Sequence, residues 1–143
     1  MSDPYVDTDV IIRLLTNDDP TKQAEALVLF QAVEEGNLSL AAPDTVIADA
    51  VYVLSSPRLY HLQRSEVQAL LSPLMHLPGF KVENKRAVTK ALEVYAFSDL
   101  DFGDALIVTS MQQDGAHSLY SYDTHFDDIP GLERLAPKEM ARG

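Results

Sequence analysis

At 143 residues the chain is long enough for one well-buried domain and too short for two. It has no cysteine, which excludes a disulfide framework and any thiolate metal site, and its net charge of −11 opposes unaided binding to a phosphate backbone. Hydrophobic residues at 46% and charged residues at 23% exclude the polar, highly charged profile of a disordered chain.

The amino-terminal stretch MSDPYVDTDV lacks the basic region and apolar run of a signal peptide, and no apolar segment approaches the length of a membrane span. With no cysteine, these features lead us to expect a soluble, cytoplasmic protein. No internal repeat, linker or low-complexity tract interrupts the chain, so a single domain over residues 1–143 is expected. The charge objection to nucleic acid weakens if carboxylates gather around divalent cations, because the ions invert the field a phosphate meets.

Tyr5-Val6 is a short apolar pair before Asp7-Thr8-Asp9, and Val10, Ile11, Leu14 and Leu15 then recur at helical spacing, which predicts strand, turn and helix. Asp19-Pro20 supplies an N-cap and a first-turn proline for a helix ending at Gly36. Leu38 to Ala42 predicts a second strand. Asp44 is placed to cap a helix from Thr45 to about Leu54, whose apolar run surrounds a lone Asp49, so this helix is expected to be buried all round. A further helix is expected from Ser65 to His76 and a third strand at Phe80 to Val82. Asn84 is placed to cap a helix carrying Ala87, Val88, Ala91, Leu92 and Tyr95, and another helix is expected from Asp101 to Gly115. Ser118 to Tyr122 predicts a fourth strand and Glu133 to Leu135 a short fifth, with the last few residues frayed. Strands alternating with helices predict a three-layer α/β/α sandwich around a central parallel sheet of four to five strands.

In an open α/β sheet the functional crevice lies beyond the carboxyl ends of the strands, where Asp7 and Asp123 both fall. Each is also explained as an ordinary turn or cap residue. A carboxylate inside a buried helix must be paired, protonated or bound to a cation, and Asp49 has no Lys or Arg at the neighbouring helical positions. Asp101 and Asp104 lie three apart on one helix face, with Ile107 and Val108 expected to continue it inward. The plain alternative for that pair is an N-cap with an acid three residues later, where the helix dipole favours negative charge. Oxygen-only ligation by such acids suits hard ions such as Mg²⁺ or Mn²⁺.

Four segments carry a resemblance to the PIN-domain family, and within it to VapC-type toxins. They are Val6 to Leu15, Val46 to Leu54, Asp101 to Val108 and Ser121 to Leu132, so the resemblance extends over nearly the whole chain. The resemblance implies a PIN-like fold and a metal-dependent endoribonuclease that hydrolyses RNA phosphodiester bonds, as the toxin of a type II toxin–antitoxin pair. It implies Asp7, Asp49, Asp104 and Asp123 as catalytic, metal-binding acids, with Asp101 and Thr8 nearby and Mg²⁺ or Mn²⁺ as the ion. The family usually has Glu where this chain has Asp49. RNA substrate, a VapB-like antitoxin and a homodimer are the implied partners.

Two other functions are open on sequence. A haloacid-dehalogenase-type phosphatase would use Asp7-Thr8-Asp9 as its Asp-x-Asp, but no lysine stands at a strand end to hold the phosphate and Asp49 has no role in that scheme. A non-catalytic acidic α/β interaction module would use its carboxylates as caps and its apolar helices as a dimer face. His125 reads as a loop residue that could touch a phosphate. Two basic stretches, Arg58, His61 and Arg64, and Lys81, Lys85, Arg86 and Lys90, read as solvated faces or as steering charge for RNA.

Overall fold

Parallel strand pairing with helical crossovers organises the chain, as seen in a computed structural model that describes residues 2–142. Val6 N donates to Ala41 O at 3.0 Å and Ala41 N to Pro4 O at 2.9 Å, so the amino-terminal segment lies parallel to strand β1 (Leu40–Ala42). Strand β2 (Phe80–Val82) pairs with β1 in parallel, with Leu40 opposite Phe80 and Ala42 opposite Val82. Strands β3 (Ser118–Tyr120) and β4 (Glu133–Leu135) form a second parallel pair.

Every recorded pairing is parallel, as the alternation of strands and helices predicts, and the architecture is an α/β/α fold. The sheet is smaller than expected. Instead of one sheet of four to five strands, two separate two-stranded pairs form, one of them extended by the bridge at Tyr5. Parallel strands normally depend on burial of both faces. In β3 the side chains of Ser118 and Tyr120 are exposed, whereas Leu40 and Ala42 of β1 are buried.

The helices are α1 (Thr8–Leu15), α2 (Pro20–Glu34), α3 (Asp44–Ser55), α4 (Arg64–Met75), α5 (Lys85–Phe97), α6 (Phe102–Asp114) and α7 (Pro137–Arg142). Asp19 caps α2 by accepting from Lys22 N at 3.1 Å, with Pro20 in the first turn. Asp44 is not a cap but the first residue of α3, which Pro43 precedes without a side-chain cap bond. Asn84 does precede α5, in the left-handed region at φ 57°, but its amide reaches Ser110 instead of capping. The expected fraying is replaced by α7 for residues 137–142, and Gly143 lies outside the described residues. None of the described helices is long and apolar enough to cross a membrane.

Ile11, Ile47, Leu54, Leu71, Phe80 and Leu92 are fully buried and join α1, α3, α4, β2 and α5 into one core. Each such side chain contributes roughly 1.5–3 kcal/mol on burial. Phe30 meets Phe80 edge-on at 5.6 Å, fastening α2 over β2.

Two cations from the basic stretches belong to this framework, not to a solvated face. The Arg64 guanidinium donates to Tyr95 O at 2.9 Å and to Leu100 O, and lies 4.4 Å from the centre of the Tyr95 ring. The Lys85 ammonium donates to Leu77 O at 2.7 Å and Phe80 O at 2.6 Å, and burial lowers its pKa. Arg64 thereby ties α4 to the α5–α6 connection, which leads directly into Asp101.

Candidate active site

Five sequence-predicted acids fall into two groups. Asp7 follows Val6 at the end of the amino-terminal extended segment and caps α1, its Oδ1 accepting from Thr8 N at 2.7 Å. Thr8 Oγ1 donates to Val46 O at 3.4 Å, which ties the start of α1 to α3. Asp7 and Asp49 line one hollow of about 530 Å³, together with Asp9 and Arg13.

Asp49 is exposed, and α3 is not buried all round. Its buried face is Val46, Ile47, Ala50, Val51 and Leu54, while Thr45, Asp49 and Tyr52 lie one turn apart on the solvent side. An exposed carboxylate is solvated and needs no cation to exist, so the burial argument for Asp49 fails. Its place in the hollow with Asp7 stands on the geometry.

The second group is gathered at the start of α6 and in the β3–β4 connection. Asp101 caps α6, its Oδ1 accepting from Asp104 N at 2.8 Å. Asp104, one turn into the helix, is half-buried. Burial holds its carboxyl above the usual carboxylate range, and the negative charges of Asp101 and Asp123 push the same way, with His125 pulling against them. Ile107, expected to continue this face inward, is 41% exposed, whereas Val108 is buried.

Asp123 caps the short 3-10 helix Thr124–Asp128 through Oδ1, which accepts from His125 N at 2.9 Å and stands 3.1 Å from His125 Nδ1. His125 is therefore a partner of Asp123 and part of the field at Asp104. Arg134 on β4 donates to Asp127 Oδ1 at 2.7 Å and to Ser121 O at 3.0 Å, bracing the segment that carries Asp123. The hydrogen bond to Asp127, and after it the charges of Asp127, Glu139 and Asp123, raise the pKa of Arg134.

The capping explanation of Asp7, Asp101 and Asp123 is thus correct as far as it goes, and it does not exclude ligation. All three cap through Oδ1, and among the described residues no hydrogen bond engages their Oδ2 atoms. Asp49 and Asp104 carboxylates accept no hydrogen bond at all among the described residues. The structure brings Asp101, Asp104 and Asp123 within electrostatic reach of one another, and Asp7 and Asp49 into one hollow. No three carboxylate or imidazole groups among the described residues stand close enough to chelate an ion as they are. In chemistry the donors suit a hard divalent ion: they are oxygen-only, and the repulsion felt by Asp104 is what a cation relieves.

Sequence reasoning did not single out Tyr52. Its side chain is 71% exposed in the hollow of Asp7 and Asp49. The signal was available in its position three residues after Asp49, on the same helix face.

The chain thus joins an α/β/α fold of parallel strands to acids at strand ends and helix starts, the end of such a sheet where open α/β folds carry their functional crevice. The family model of the PIN domain matches residues 5–132, and the chain belongs to that family. PIN domains are typically metal-dependent nucleases. Comparison with curated proteins finds no match.

Proposed function

We propose that this PIN domain, a single domain over residues 1–143, is an endoribonuclease dependent on Mg²⁺ or Mn²⁺, with Asp7, Asp104 and Asp123 as principal ligands. Asp49 serves as a ligand or orients the attacking water, and Asp101 assists. The single observation that carries the reading is the gathering of Asp101, Asp104 and Asp123 at the start of α6 and the head of the β3–β4 connection, where burial and the two neighbouring charges disfavour the ionised form of Asp104. An acid in that position gains most when a cation enters.

The ion, when bound, supplies the activation of water and of phosphoryl oxygen that phosphodiester hydrolysis requires. The chain's own residues prepare its place. Asp7 and Asp123 are held by their caps through Oδ1, so Oδ2 of each is offered without loss of helix stabilisation. His125 steadies Asp123, and Arg134 braces the connection behind it. Asp101 fixes the start of α6 and thereby the position of Asp104.

The biological role within this proposal is the toxin of a type II toxin–antitoxin pair, a homodimer restrained by a VapB-like antitoxin and acting in the cytoplasm. An antitoxin that inserts an Arg among these acids would gain charge-assisted hydrogen bonds. The test is cleavage of an unstructured RNA in Mg²⁺ or Mn²⁺, repeated in EDTA and with Asp104→Asn. Cleavage should need the ion and stop in the variant. Activity that survives either change overturns the assignment, and a protein with neither activity nor saturable ion binding is the acidic interaction module instead.

A further inference from the structure

We propose that Asp18 is a positioning residue of the metal site: it holds the Arg13 guanidinium aside, so that Arg13 does not close onto the acids of the hollow beside α1. This deepens the ribonuclease reading and rests on it, since that reading places a divalent ion on Asp7 with Asp49 beside it.

Among the described residues, Arg13 is the one cation lining the hollow that contains Asp7, Asp9 and Asp49. Its own helix favours a pairing inside that hollow. Asp9 stands four residues before Arg13 on α1, the spacing and order at which an acid and a base on a helix face attract. Among the described residues that pair does not form, and Arg13 makes no ion pair with Asp7 or Asp49 either. Arg13 Nη1 lies instead 3.1 Å from Asp18 Oδ1, in the turn after α1.

Asp18 is itself held for this contact. The Tyr60 hydroxyl, from the connection after α3, donates to Asp18 Oδ2 at 2.8 Å. The Thr16 hydroxyl, shared with Ile12 O, lies 3.1 Å from Asp18 Oδ1. Tyr60 first, then Thr16 and Arg13, hold the Asp18 carboxyl below its ordinary range, with desolvation pulling the other way. An exposed ion pair alone holds little, but here two hydroxyls fix the acid that receives the guanidinium.

The consequence falls on the ion. A guanidinium turned onto Asp7 or Asp49 would make charge-assisted hydrogen bonds with the oxygens a hard divalent ion requires, and the two cations would exclude one another. By engaging Arg13, Asp18 leaves those oxygens open.

The experiment is a Mn²⁺ titration, followed by the electron paramagnetic resonance of the free ion, on the parent, Asp18→Asn, Arg13→Gln and the double variant. Asp18→Asn should weaken Mn²⁺ binding about three- to tenfold, the factor carried by about 0.7–1.4 kcal/mol of contact redirected onto the acids. The double variant should bind Mn²⁺ as tightly as Arg13→Gln alone. That non-additivity separates positioning from the plain loss of one negative charge, which would weaken binding by the same factor with Arg13 or without it. Cleavage of RNA by Asp18→Asn should fall by the same factor at limiting Mn²⁺ and recover when the ion saturates. Tyr60→Phe loosens Asp18 without removing a charge, and should give a smaller loss that Arg13→Gln likewise abolishes. A loss that persists in the Arg13→Gln background, for either variant, overturns the proposal and leaves the ribonuclease reading standing. So does an Asp18→Asn protein that binds Mn²⁺ as the parent does, its Arg13 having settled on Glu25 in the groove between α1 and α2. A parent with no saturable Mn²⁺ site removes both.

Discussion

Asp104→Asn separates a ligand from a structural acid because the two roles give opposite patterns of stability. In the folded protein the Asp104 pKa lies above its ordinary value of 3.8. The folded state therefore holds the proton more tightly than the unfolded state. Stability from this group is greatest below that ordinary value and falls as pH rises through the folded pKa, so at neutral pH the ionised form is a cost. Removing the charge relieves first the desolvation that burial imposes on the carboxylate, and with it repulsion from Asp101, three residues away, worth about 0.2–0.5 kcal/mol, and from Asp123. It forfeits a favourable interaction with the α6 dipole of about 0.3–1 kcal/mol. The two nearly cancel, so without metal the variant should melt within about 2 °C of the parent. Saturating Mg²⁺, at about a hundred times Kd, should stabilise the parent by about 2.7 kcal/mol and the variant far less. Thermal melts with and without Mg²⁺, at matched ionic strength, read both quantities. A variant destabilised by more than about 1 kcal/mol that keeps the full metal response would refute the reasoning.

Two further outcomes follow from the same geometry. Asp49→Ala should leave the melting temperature of the metal-free protein within about 1 °C, because an exposed carboxylate with no hydrogen-bond partner strands nothing on removal, while RNA cleavage falls; a loss of stability above about 1 kcal/mol would contradict its placement. Arg64→Lys should cost about 1–3 kcal/mol in urea unfolding and reduce cleavage as well, since lysine cannot replace the forked contact with Tyr95 O and Leu100 O or the stacking on Tyr95. Unchanged unfolding would mean that the α5–α6 connection is held by something else.

Much of the fold was legible because local chemistry decides it. Asp101 as cap and Gly115 in the left-handed region at φ 71° bound α6 as their residue types require, and Asp19-Pro20 opens α2 in the same way. Pro137 at the start of α7 is the same kind of signal, set against the general tendency of terminal residues to fray. Strand partners depend on ladders between distant segments, and three-residue strands carry too little pattern to say which will join. The orientation of α3 was misjudged for a related reason. Its run from Val46 to Leu54 is apolar enough to suggest burial everywhere, but the neighbouring helices cover only one face and leave Thr45, Asp49 and Tyr52 in solvent. In the site, the caps of Asp7, Asp101 and Asp123 could be read from position alone. The mutual field at Asp104 could not, because it depends on the β3–β4 connection bringing Asp123 and His125 to the start of α6.

The most direct measurement of the central claim is the location of Mn²⁺ by its anomalous scattering in crystals of the protein grown or soaked with that ion. The account predicts a peak coordinated by Asp104 together with Asp123 or Asp7. A peak at full occupancy elsewhere on the acidic surface, with Asp104 uncoordinated, would contradict it.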